Sequence, residues 1–110
     1  MVGFDKGDVA MKLYLVHCGF YDSEVADGLY ESHVNYFVAA ADFQEARGKI
    51  RSHPDFQRKK MHVDGLQEIR TVGGYEIQLK ANAGLGTKTE IISFKHRELA
   101  PSSEGTSDQS

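Results

Sequence analysis

The sequence predicts an α+β domain: one mostly antiparallel β-sheet, in the order β-β-α-β-β-β, with one helix packed on one face. Several segments are rich in β-branched and aromatic residues, and those at 33–38 and 75–80 alternate between two faces with a period of two. One segment, after Asp42, has apolar side chains at helical spacing. No internal repeat or linker divides the chain, so a single two-layer domain is expected.

Length and composition set the bounds of this domain. The chain has 110 residues, of which 40% are hydrophobic, which is enough for one globular core. We expect the domain to span residues 11–97. Residues 1–10 are expected to form an N-terminal extension, with either Met1 or Met11 as the natural start. Residues 98–110 are expected to be a disordered tail, because they are rich in Ser, Gly and acids.

The chain contains no candidate membrane segment. Its longest apolar run, residues 13–16, is far below the roughly 20 residues that span a bilayer, and it is too short for a secretory signal. The one cysteine, Cys18, excludes an internal disulfide and suits a reducing compartment. We therefore expect a cytoplasmic protein that has no membrane partner.

The first half of the domain contains two predicted strands. The segment Lys12–His17 is rich in β-forming residues and predicts the first strand. Residues 18–30 have no clear period and predict a long loop, a place where functional residues are common. The second strand is predicted at Glu31–Ala39, with Val34 and its even-numbered neighbours on one face.

The predicted helix has a recognisable start and end. Asp42 can accept from free amide groups, and Glu45, three residues later, completes a variant of the capping box. The helix is expected to stop near Ser52, because Pro54 disfavours helical geometry at His53. A basic loop at 53–60 should follow.

The second half of the domain is predicted to contain three strands. The third strand is expected at Met61–Arg70, with Gly65 marking a bulge or bend. A turn at Gly73-Gly74 leads to a fourth strand at Tyr75–Lys80. A glycine-rich turn then leads to a fifth strand at Thr89–Lys95.

Acidic and imidazole side chains stand at the starts of the second and third strands. If the first two strands pair antiparallel and the helix is a crossover, both starts lie at the same end of the sheet, beside the end of the first strand. Residues two apart share a strand face, so each acid–histidine pair projects together. The sequence therefore predicts a polar cluster of Glu31, His33, His62, Asp64 and His17.

Three roles are open for this cluster. Imidazole nitrogens and carboxylate oxygens are ligands for a divalent ion such as zinc, manganese or iron. A carboxylate that orients an imidazole is also a general acid–base pair. Alternatively, His33 and His62 are hydrogen-bonded to Glu31 and Asp64 and only fix the end of the sheet. No H-E-x-x-H or paired C-x-x-C motif is present, so the sequence assigns no cofactor.

The chain has a net charge of −3, and its charged residues are unevenly distributed along the sequence. Acids dominate residues 20–45, and bases dominate residues 47–60. The basic segment is either a solvated surface or an anion-binding surface. Its candidate residues are Arg47, Arg51, Arg58, Lys59 and Lys60. Because the chain is acidic overall, nucleic acid is not expected as a partner.

Four segments carry a resemblance to a known family: "LYLVHCG", "YESHVNYFVAAADFQEARGKI", "MHVDGLQEI" and "VGGYEIQL". Over residues 12–79 the chain resembles a bacterial family of small proteins that is known only as a domain of unknown function. The residues that match the family pattern are Glu31, His33, Phe37, Val38, His62, Asp64, Gly74 and Tyr75. Val34 stands where family members often have an acid, which removes one metal ligand.

The resemblance implies an α+β fold, sometimes present in two copies per chain, and no established activity. The function expected is therefore a small cytoplasmic binding or interaction module, self-associating as a homodimer by analogy with the tandem copies. The alternative is a metal-dependent or acid–base enzyme that uses the polar cluster. The third reading is anion or nucleic-acid binding through the basic segment.

Overall fold

The protein is described by a computed structural model that covers residues 10–99. Its strands are β1 (Lys12–Tyr21), β2 (Glu31–Ala40), β3 (His62–Ile69), β4 (Thr71–Val72) and β5 (Tyr75–Glu76). Its helices are α1 (Phe43–Arg51), α2 (Pro54–Arg58) and α3 (His96–Leu99). The predicted α+β class is confirmed. The predicted extension and tail lie outside the described residues, except for residue 10 and residues 98 and 99. Within the described part, no helix is both long and apolar enough to cross a membrane.

The main sheet has the strand order β2-β1-β3, with β1 antiparallel to both neighbours. β2 and β3 therefore point in the same direction, as the crossover through the helix predicts, and β1 separates them. β1 continues to Tyr21, four residues beyond its predicted end at His17. This extension places Gly19 opposite both His33 and His62.

The core lies between one face of this sheet and α1. Alternate residues of β1 point into it, and Val16 and Cys18 have no solvent exposure. Ala46 and Ile50 of α1 cover them, and Val38 of β2 completes the layer. Burial of these side chains fixes which face of the sheet is inside, because successive side chains of a strand point to opposite faces.

Both ends of α1 agree with the sequence prediction of a capping box at the start and an end near Ser52. The Asp42 carboxylate accepts from the backbone N–H of Glu45 at 2.8 Å, and the Glu45 carboxylate accepts from the N–H of Ala41 at 2.7 Å. The helix ends at Arg51, and the N–H of Ser52 donates to the Gly48 carbonyl.

The predicted loop at 53–60 is wrong in part, because Pro54–Arg58 forms the short helix α2. Proline is well tolerated in the first turn of a helix, where its missing N–H is not needed. The Nδ1 of His53 accepts from the N–H of Asp55 at 3.1 Å and caps this turn. The sequence pattern does not predict this cap, because histidine is not among the usual N-cap residues.

The last part of the chain differs most from the prediction. The Gly73-Gly74 turn is present, with both residues at positive φ, but the hairpin extends only to Thr71–Val72 and Tyr75–Glu76. Thr89–Lys95, predicted as the fifth strand, is not a strand and pairs with no other described strand. β-forming residues become a strand only where another strand offers hydrogen bonds.

Candidate functional site

The face of the sheet opposite α1 carries a row of polar side chains at one end. On β2 these are Glu31 and His33, and on β3 they are His62 and Asp64. Gly19 of β1 lies between the two pairs, directly opposite His33 on one side and His62 on the other. The structure thus brings both acid–histidine pairs to the same end and the same face of the sheet.

A bulge in β3 sets the direction of Asp64. His17 pairs with Gly65 and Cys18 pairs with Val63, so Asp64 is an extra residue between two regular pairs. Without this extra residue, every position after Asp64 would be shifted to the opposite face of the sheet. The bulge, predicted at Gly65, therefore allows Asp64 to face the cluster while Leu66 packs against the core.

Four side chains form a ring in which imidazoles and carboxylates alternate: His62, Glu31, His33 and Asp64. The Nε2 of His62 lies 2.5 Å from the Oε2 of Glu31 and 3.1 Å from the Oδ1 of Asp64. The Nε2 of His33 lies 3.2 Å from the Oδ2 of Asp64 and 3.4 Å from the Oε1 of Glu31. Each nitrogen therefore stands between two carboxylates, and each carboxylate stands between two nitrogens.

Gly19 provides the space in which these groups meet. A Cβ atom built on Gly19 would collide with the Oε2 of Glu31, and it would lie 2.5 Å from the Oδ2 of Asp64 and 2.8 Å from the Nε2 of His62. Any residue other than glycine would have to displace these side chains.

His17, the fifth predicted member, lies beside the cluster. Its ring stacks on that of His33, with centroids 4.6 Å apart and planes 7° from parallel. Its Nδ1–H donates to the Oδ1 of Asn35 at 2.6 Å. Asn35 faces His17 across the β1–β2 pair. This hydrogen bond favours the Nδ1–H tautomer of the neutral imidazole, in which Nε2 carries the lone pair.

The cluster is open to solvent on one side. The exposed fraction of the four side chains ranges from 28% for Glu31 to 48% for His62. With neutral imidazoles, the two carboxylates give a formal charge of −2, which one divalent cation balances. On the buried face, Cys18 responds to the same charge: burial raises the pKa of its thiol, and the nearby Asp64 raises it further.

The spacing of the ligand atoms suits a small metal ion. Zinc bonds to nitrogen and oxygen at about 2.0–2.2 Å, so ligand atoms of a tetrahedral site are roughly 3.3 Å apart. Three of the four nitrogen–oxygen distances lie close to this value, and the His62–Glu31 contact would open by less than about 1 Å. Two sets of three residues have ligand atoms within 4.8 Å of one another: Glu31, His62 and Asp64, and His17, His33 and Asp64.

The five candidate residues of the basic segment have different surroundings. Arg58 donates to the Asp55 carboxylate at 2.6 Å, and the ammonium group of Lys59 stands 4.7 Å from the centre of the Phe20 ring. Arg47 and Arg51 are exposed one turn apart on α1. Lys60 has positive φ just before β3.

Two residues of the site, Gly19 and Asn35, were missed by the sequence-based reasoning. A lone glycine in a strand is a signal for a close approach of other groups, but the first strand was predicted to end before Gly19. Asn35 shares its strand face with His33, two residues earlier, and this spacing could have identified it.

Comparison with known proteins gives a match to one family model over a segment that contains most of the cluster. Residues 28–79 match the model of a family described as Domain of Unknown Function (DUF1543). This agrees with the resemblance found in the sequence, and the match includes Glu31, His33, His62 and Asp64. No curated protein and no solved structure matches the chain.

Proposed function

We propose that this domain of the DUF1543 family is a binding module that holds a divalent transition-metal ion, with Glu31, His62 and Asp64 as ligands. The observation that carries the proposal is the convergence of these side chains over Gly19, where no Cβ stands in the way. His33 lies within 3.4 Å of both carboxylates and can complete the set or orient it.

The mixture of ligands favours a transition metal over calcium or magnesium. Imidazole suits zinc, iron, nickel and copper, whereas calcium and magnesium prefer oxygen ligands alone. The same residues would also serve as a general acid–base pair. Metal binding is the better-supported function, because the Nε2 atoms of both His33 and His62 are flanked by carboxylates instead of facing an open substrate position.

Metal titration of protein purified without a metal-affinity tag tests the proposal. We expect the wild-type protein to bind zinc or manganese with a dissociation constant below about 1 μM, as protein metal sites commonly do. His62→Ala and Asp64→Asn should each weaken binding by at least about 100-fold, since each removes a direct ligand.

His96→Ala is the matched control for these variants. His96 is an exposed histidine in α3, outside both candidate ligand sets, so its loss should leave the affinity unchanged. A wild-type protein that binds neither ion at high micromolar concentration would remove the proposal, as would equal effects of all three substitutions.

We also propose that the module self-associates through the open edge of β2. β2 is an outer strand of the main sheet, and its ten residues contain no Pro, Lys or Arg. These are the residues that usually protect an edge from pairing with another chain. Phe37, the seventh of these ten residues, is 46% exposed. An edge of this kind is suited to accept a strand from another molecule.

The segment we propose for this pairing is the arm, residues 77–95, of a second copy. A cavity of about 900 Å³ is lined by residues 35–39 of β2, by Lys49 and Ile50 of α1 and by residues 81–91 of the arm. Ile91 borders this cavity, whereas Ile92 and Phe94 do not and are 71% and 65% exposed. The arm is thus left uncovered by its own sheet, and reciprocal exchange between two copies would cover both arms.

Sedimentation of the purified protein over a range of concentrations tests the exchange. We expect a dimer at high micromolar concentration, and Phe94→Asp should convert it to a monomer with an unchanged circular dichroism spectrum. Val72→Asp is the control, because Val72 is similarly exposed but lies in β4, outside the arm and β2. A wild-type monomer, or dissociation by both substitutions, would contradict this proposal.

The cellular setting is also part of the proposal. We propose a bacterial, cytoplasmic protein, on the basis of the family resemblance and of a single cysteine that is buried and reduced.

A further inference from the structure

We propose that the cluster holds two divalent cations and that the carboxylate of Asp64 bridges them. This inference rests on the proposed metal-binding function and extends it. The first ion lies at the Glu31, His62 and Asp64 ligand set. The second lies at the neighbouring set formed by His17, His33 and Asp64. Asp64 is the member that the two sets share.

The two oxygen atoms of Asp64 are already divided between the sets. Its Oδ1 lies 3.1 Å from the Nε2 of His62, and its Oδ2 lies 3.2 Å from the Nε2 of His33. A carboxylate that presents one oxygen to each of two groups can bridge two ions, which lie about 3.5–4 Å apart in two-metal sites. Asp64 is placed for this role by the bulge in β3.

His17 is prepared as a ligand by Asn35. Metal-bound histidines almost always donate their second ring N–H to a polar partner, which fixes the tautomer and the ring orientation. When Nδ1 of neutral His17 donates to the Oδ1 of Asn35, the lone pair lies on its Nε2. The parallel stacking of His17 on His33 holds the two rings side by side.

A site with two cations has a consequence for what it binds. Two divalent ions carry a charge of +4, and the carboxylates of Glu31 and Asp64 supply −2. The difference of +2 favours a bridging anion with hard oxygen atoms, and phosphate is the simplest ligand of this class. The half-exposed position of the cluster allows such an anion to approach from solvent.

Stoichiometry separates this inference from the proposed function. Manganese titration followed by equilibrium dialysis should give two ions per wild-type chain, and the electron paramagnetic resonance spectrum should show exchange coupling between them. His17→Ala should reduce the stoichiometry to one ion and abolish the coupling. Asn35→Ala should weaken binding of the second ion by about 10–100-fold, since it removes only the hydrogen bond that orients His17.

His96→Ala is again the control and should retain two coupled ions. One ion per wild-type chain, with no effect of His17→Ala, would overturn the bridged site and leave the single-metal function intact. An absence of bound manganese and zinc would overturn both proposals. Added inorganic phosphate should tighten manganese binding to the wild-type protein and leave His17→Ala unaffected, and the opposite result would overturn the bridged site.

Discussion

Gly19 and His62 are partners across the β1–β3 pair, and a Cβ on Gly19 would lie only 2.8 Å from the Nε2 of His62. Three polar side chains from two outer strands meet over the central strand because that strand has no side chain at this position. The geometry of the candidate site therefore depends on a residue that offers no ligand.

Gly19→Ala should weaken metal binding by about 10–100-fold, the range seen when the groups that position metal ligands are altered. The added methyl group would push the ends of Glu31, Asp64 and His62 outward. These ends are partly exposed, so we expect a loss of only about 1 kcal/mol in the free energy of unfolding, at the low end for overpacking. Calorimetric titration and urea denaturation measure the two effects.

Gly65→Ala is the control for this prediction. Gly65 lies on the same face, but its added Cβ would meet only the Cβ of His17, at an ordinary distance of 3.9 Å. The affinity of this variant for the first metal ion should change by less than about twofold, which corresponds to under 0.5 kcal/mol. Equal losses at Gly19 and Gly65 would show that the loss of glycine flexibility is responsible, and not the collision.

The periodicity of the sequence was enough to predict the three main strands and α1, because these elements are specified by local alternation and by the Asp42 cap. It was also enough to place the starts of β2 and β3 at one end. It could not decide whether the two acid–histidine pairs share a face, because a one-residue shift reverses the faces. The bulge at Asp64 decides this, and it is visible only once β3 is paired with β1.

The arm contains a segment for which the local sequence pattern gave the wrong structure. Thr89–Lys95 has the composition of a strand, and the sequence predicted one. A strand also needs a partner with free backbone groups, and no local pattern identifies that partner. In the described part of the chain the segment pairs with no strand. Its composition therefore favours a strand, but its surroundings provide no partner for one.

Asp42→Ala should destabilise the domain by about 1 kcal/mol, within the 0.5–2 kcal/mol typical of a lost helix cap. The substitution removes the acceptor for the Glu45 N–H, which is bound at 2.8 Å. The melting temperature should fall by roughly 4–8 °C for a domain of this size. Gln44→Ala, at an exposed position in the same turn, should change it far less. A comparable fall in both variants would show that the cap contributes nothing.

Gly48→Ala should stabilise the domain by about 0.5–1 kcal/mol, because glycine in a helix loses more backbone entropy on folding than alanine. The position has the necessary space, since a Cβ on Gly48 would meet nothing within 4 Å. Its carbonyl, which accepts from the N–H and hydroxyl of Ser52, is unaffected. Urea denaturation should show a higher midpoint with the same slope. A lower midpoint would contradict the assignment of Gly48 to an uncrowded helix face.

The Asp55–Arg58 pair should contribute stability that depends on pH. The hydrogen bond from Arg58 lowers the pKa of Asp55, and the positive charges of Arg58 and Lys59 lower it further. A carboxyl whose pKa is lowered by folding stabilises the native state at pH values above its ordinary pKa of about 4, and this stability is lost as pH falls through the lowered pKa. Asp55→Asn should therefore reduce the melting temperature at pH 7 and have little effect near pH 2.

A double-substitution cycle isolates this pair. Arg58→Ala should reproduce the effect of Asp55→Asn at pH 7, and the two together should cost no more than either alone, since both remove the same contact. The pair is exposed, so its contribution should also decrease with added salt. Additive losses, or losses that persist at pH 2, would show that each residue acts through other contacts.

Cys18 should react with a thiol reagent at pH 8 at least about 100-fold more slowly than a free cysteine, because the thiolate is the reactive form and the native structure must open to expose it. Cys18 has no exposed surface, and its pKa is raised first by burial and then by the charge of Asp64. Urea should restore the full rate. Gly48→Ala should slow labelling further if the thiol becomes exposed only when the whole domain unfolds, because that variant makes unfolding rarer. Fast labelling of the native protein would place Cys18 on an accessible face, and the side of the sheet assigned to the core would then be wrong.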